Sequence, residues 1–192
     1  MKHKFFYTLG LMVLAWVGFA ASPAGAATAA GPYYATPSWD QQLPASTRFV
    51  VLSNWIDAAH PSGGAAVLDR ETGLVWEQSP TAPPTIPNTF NWESAQAHCN
   101  ALNTGGRLGW RLPTLQDLAS LVDRSVSPGP RLPSGHPFSN VQAADYWSAT
   151  VFATDTSSAW VVDFFNGFVV LGGKIETHFA WCVRGGQGVD VQ

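Results

Sequence analysis

Asn91-Trp92-Glu93-Ser94-Ala95-Gln96-Ala97-His98-Cys99-Asn100-Ala101-Leu102-Asn103-Thr104-Gly105-Gly106-Arg107-Leu108-Gly109-Trp110-Arg111-Leu112-Pro113-Thr114 reads as a helix, a glycine-punctuated loop and the cap of a second helix. Asn91 is a good N-cap, and Trp92, Ala95, Cys99 and Leu102 fall on one stripe at helical spacing. Gly105-Gly106 ends that helix. Thr114 followed three residues later by Asp117 fits a capping arrangement, with the carboxylate in the positive first turn. Leu115, Leu118, Leu121 and Val122 then give the second helix an apolar side as far as about Asp123.

Downstream, Ser125 to Asn140 holds four prolines and is a long irregular excursion, of the kind that often carries function. Beyond it the pattern changes to alternation, with strands at Tyr146–Phe152, Ala159–Phe165 and His178–Arg184. Asn166-Gly167 has the preference of a two-residue hairpin turn, which would set Phe165 opposite Phe168, Phe164 opposite Val169, Asp163 opposite Val170 and Val162 opposite Leu171. Upstream, Arg48–Leu52 is a strand candidate and Asn54–His60 a helical turn. Ala65–Asp69 and Leu74–Glu77 form a hairpin about Arg70–Gly73. Four prolines make Ser79–Pro87 a connection, and Gly31–Ser46 is a proline-broken lead-in. Helices flanked by clustered strands, without alternating strand and helix, predict an α+β fold.

The chain opens with Lys2 and Lys4, an apolar run from Phe5 to Ala20 and a small-residue exit to Ala30. This is the pattern of a secretory signal peptide over residues 1–30. A retained anchor is the rival, but a run of about 16 apolar residues is short against the roughly 20 of a span. After residue 30 the chain carries 8 basic and 13 acidic residues, a balance that argues against nucleic acid as partner. A local arginine patch for an acidic glycan is still compatible with it. Cys99 and Cys182 are the only cysteines. In an exported chain an even pair reads as a disulfide, the alternatives being free thiols or pairing with another chain.

Several motifs occur together in order: Asp69-x-x-Thr72-Gly73-Leu74-x-Trp76, Trp92-x-x-Ala95-x-x-x-Cys99-x-x-Leu102, Gly109-Trp110-Arg111-Leu112-Pro113-Thr114, Tyr146-Trp147-Ser148-Ala149 and Trp181-Cys182-Val183-Arg184. This set resembles the bacterial family of the C-terminal domain of Legionella collagen-like adhesin, formerly catalogued as a domain of unknown function. The resemblance spans roughly residues 65–186, after a 31–64 lead-in and before a 187–192 tail. It implies a C-type lectin-like fold: two helices packed on a small twisted antiparallel sheet with long loops, the cysteine pair linking first helix to last strand. It also implies a secreted or periplasmic binding module for a cell-surface polysaccharide of glycosaminoglycan type, or for an envelope protein. Trp92, Trp110, Arg111, Leu112, Pro113, Thr114, Tyr146, Trp147 and Arg184 are then structural motif residues. The Gly-x-y region of the adhesin is absent here.

Candidate chemistry is thin. No short histidine metal pattern, Asp-rich calcium loop or Gly-x-Ser-x-Gly occurs, and the sugar-binding triplets of calcium-dependent lectins are missing. No cofactor and no metal are expected. Formylglycine-generating relatives use two nearby C-terminal cysteines, whereas only Cys182 lies there. Such an enzyme, or a purely structural envelope domain, is the alternative to a binding module. For binding, the aromatic hairpin offers Phe165, Asn166 and Phe168, with Arg131 in the long loop. Arg111 is expected to pair with a carboxylate and anchor its loop.

Overall fold

The computed structural model describes residues 43–80 and 89–185. The leader, residues 31–42 of the lead-in, residues 81–88 of the proline-rich connection and the 187–192 tail lie outside the described residues. Three α-helices are described: α1 (Ala45–Arg48), α2 (Trp92–Ala101) and α3 (Leu115–Ala119). The strands are β1 (Phe49–Val51), β2 (Ala66–Asp69), β3 (Val75–Glu77), β4 (Thr89–Phe90), β5 (Trp110–Arg111), β6 (Asp145–Val151), β7 (Ser158–Asp163), β8 (Phe168–Gly173), β9 (His178–Phe179) and β10 (Val183–Arg184).

They form two five-stranded sheets, ordered β1-β2-β3-β10-β5 and β4-β9-β6-β7-β8. The first is antiparallel throughout, and the second is mixed because β9 runs parallel to β6. The expected C-type lectin-like arrangement, two helices on one small antiparallel sheet, is therefore incorrect. The reason lies in the run His178–Arg184, which is two strands rather than one. β9 joins the second sheet, Ala180-Trp181-Cys182 passes through the core, and β10 joins the first sheet. At the break the Glu77 N–H donates to the Cys182 carbonyl, but the reciprocal bond is replaced. The Trp181 indole takes the Glu77 carbonyl at 3.0 Å, and the Cys182 N–H turns to the Glu77 carboxyl at 2.9 Å.

Local chemistry accounts for the elements. The Asn91 side chain caps α2 by accepting from Ser94 N, and Thr114 and Asp117 form a reciprocal capping box at α3. α3 stops at Ala119, short of the expected Asp123. Leu121 and Val122 continue with bonds to the third residue back, while Arg48 takes the Ser120 carbonyl. Asn54–His60 is not helical: Asp57 Oδ1 accepts from Ala59 N, His60 N and the His60 ring, which folds the segment into a side-chain-closed turn.

The β7–β8 connection also differs from expectation. Asp163 pairs with Phe168, Val162 with Val169 and Val161 with Val170, a register displaced by two residues around a four-residue turn. Asp163 drives this by accepting from Phe165 N and Asn166 Nδ2, while Gly167, at φ 75°, donates to the Asp163 carbonyl. A two-residue displacement preserves which face each strand residue occupies. Phe164 leaves the ladder and enters the core.

Two apolar clusters fill the interior. One gathers Phe49, Trp76, Leu118, Leu121, Phe138, Tyr146, Phe164 and Trp181. The other surrounds the Cys99–Cys182 disulfide with Trp55, Ala95, Trp110, Trp147 and Val161. Five tryptophans are thus core residues. Beneath the first hairpin, Arg48 is fully buried and grips Asp69 through two bonds, at 2.9 and 2.7 Å. Its remaining nitrogen faces Glu71 at 3.2 Å without hydrogen-bond geometry.

Candidate functional site

The motif residues of the helix–loop–helix stretch are committed inward. Trp110 is buried, and its indole donates to the Arg107 carbonyl. Arg111 binds Asp117 at 2.8 Å and reaches the carbonyls of Leu112 and Gly185. Leu112 is buried, and the Pro113 carbonyl accepts from Ala149 N, tying the loop to β6. The Trp147 indole donates to the Phe90 carbonyl, and the Tyr146 hydroxyl accepts from Gln142 N. Trp92 bonds the Ser148 carbonyl, with Lys174 Nζ 4.0 Å above its ring. Arg184 donates to the Leu108 carbonyl and leans over Trp55.

The residues singled out for binding come together at one place, the Phe164–Gly167 turn. Phe165 and Phe168 are 54% and 53% exposed, so each offers about half its surface. Arg131 holds this turn from below, donating to the carbonyls of Phe165, Arg124 and Val126. Asn166 spends its amide on Asp163. Arg124, which belongs to none of the motifs singled out above, donates to the Gly167 carbonyl and lies over the Phe168 ring at 5.6 Å. Its position seven residues before Arg131, at the start of the proline-rich excursion, is the only sequence signal it carries.

No carboxylate lies within 4.0 Å of Arg124 or Arg131 among the described residues, so the turn keeps two positive charges beside two half-exposed rings. The apolar surface continues along β8, the last strand of its sheet, where Val169, Val170 and Leu171 are exposed and the outer edge has no partner strand among the described residues. Such a surface can stack against a ring and attract an anionic group.

Burial holds His98 and His136 below the usual imidazole range and pushes the Tyr146 phenol up. Among the described residues no group of three or more His, Cys, Asp or Glu is placed to hold a metal ion. Both cysteines are consumed by one bond, with Cα atoms 5.4 Å apart. No described helix is long and apolar enough to cross a membrane.

Residues 65–184 match the family described as the Lcl C-terminal domain, and the chain belongs to that family. Membership supports a binding-type module over an enzyme. No curated protein matches the chain.

Proposed function

We propose that this chain is an exported, non-catalytic binding module whose ligand is an acidic cell-surface polysaccharide of glycosaminoglycan type. The observation that carries the reading is the Phe164–Gly167 turn, where Phe165 and Phe168 stand half exposed beside Arg124 and Arg131, neither of which is in an ion pair among the described residues. The overall charge is acidic, so attraction to such a polymer is local and screened by salt. Export is supported by the leader pattern and by the closed disulfide, which persists in secreted or periplasmic surroundings. Formylglycine-type oxidation has no support, since neither Cys99 nor Cys182 is a free thiol.

The test is retention of purified protein on an array of acidic and neutral glycans. Binding to acidic members should weaken with added salt, and Phe168→Ser should lower affinity about tenfold, a loss near 1.4 kcal/mol. A blank across the array by folded protein would sink the reading. An envelope protein is the second candidate partner, favoured by the apolar outer edge of β8, which has no partner strand among the described residues and suits strand addition.

A further inference from the structure

A separate cleft of about 400 Å³ opens between the Asn54–Gly64 loop, the start of the connection after β3, and the end of α2 with the Thr104–Gly106 turn. That size suits a small ligand, for which about 300–1,000 Å³ is usual. Asp57, His60, Glu77 and His98 face it, between apolar walls that include Ala59 and Leu102.

Neither lysine nor arginine belongs to this described lining, and neither does any Trp, Phe or Tyr. Asp57 is held anionic, and with no permanent cation in that described lining it disfavours anions. Without an aromatic platform the cleft lacks the stacking surface a sugar ring prefers. The two carboxyls also differ. Burial alone would raise Asp57, but the Gly105 N–H and the His60 ring and N–H outweigh it and hold the group below its ordinary range. Both Asp57 oxygens are already engaged by these donors. Glu77 is 6% exposed, bonded by the Cys182 N–H and the Thr104 side chain, and has no cation within 4.0 Å among the described residues. A carboxylate has about four acceptor positions, so capacity is left over.

We propose that this cleft is a binding site for a compact organic cation, an alkylammonium or guanidinium group, seated against the Glu77 carboxyl. The cation supplies the counter-charge that this buried group lacks, while the alanine and leucine walls take its alkyl part. Desolvation raises Glu77 to about 8, so at neutral pH it must release a proton as the cation enters. Asp57, His60 and His98 also face the cleft, and the Glu77→Gln variant separates their contribution from that of Glu77.

Calorimetric titration of the intact protein with methylguanidinium and n-butylammonium tests this, with glucose and acetate as neutral and anionic counterparts, in two buffers of different ionisation enthalpy. Both cations should bind saturably with about one proton released near pH 6.5, and affinity should fall about tenfold per pH unit below 8. Glu77→Gln should abolish binding. Ala59→Phe, which enlarges an exposed alanine on the rim, should do the same while leaving the buried carboxyl in place. If Glu77→Gln fails to fold, Ala59→Phe decides. Cation binding unchanged in either folded variant, binding without proton release, preference for glucose or acetate, or no binding of either cation would each overturn the proposal. None of these outcomes bears on the Phe165–Phe168 surface.

Discussion

Glu77 shows how one side chain can complete a backbone ladder. Its carboxyl stands in for the carbonyl that the Trp181 indole has taken, and so meets the Cys182 N–H where the last run changes sheets. Desolvation moves its pKa from 4.5 to about 8, so between those values the native protein holds a proton that the unfolded chain has given up. The sign follows: this contribution to stability is complete below pH 4.5 and lost as pH rises through 8. Thermal unfolding across pH 5 to 9 should show a decline in the parent chain that Glu77→Gln lacks, since the amide keeps the shape without the titration. Equal slopes would mean that Glu77 does not carry the dependence. Nothing in the sequence marked this residue, because Glu77 closes an ordinary hairpin strand and its role depends on what Trp181, more than 100 residues away, does.

Short elements were legible wherever their signals were local. Asn91 and Thr114 cap the helices they introduce, and the Asp69–Gly73 turn closes the first hairpin with its own side chains. Thr114→Ala should cost about 1 kcal/mol in denaturant unfolding, the usual worth of such a cap. An unchanged midpoint would show that Asp117, held by Arg111, keeps the helix start alone. Lengths and registers were less legible. Asn166-Gly167 has the pattern of a two-residue turn, yet Asp163 offers two oxygens to the turn and the arginines of a distant loop clamp its carbonyls. Those partners outweigh the local preference.

Taken together, the two sheets and α2 are joined at the Cys99–Cys182 bond, which closes 83 residues of chain. Replacing both cysteines with serine should lower stability by about 2–5 kcal/mol, read from the denaturation midpoint, and alkylation of the unreduced parent should label no thiol. Two labelled thiols in the parent would contradict the bond.

Sequence alone determined the helix caps and the first hairpin, made a cysteine pair the expected reading, and carried the ordered motifs on which the family resemblance rests, because each depends on residues close in sequence or few in kind. Tertiary structure decided how many sheets there are, where the strand after His178 divides, and that Arg124 and Arg131 underlie the aromatic turn. Those outcomes depend on which buried donors and acceptors meet across the core, and a carbonyl taken by one partner is denied to every other.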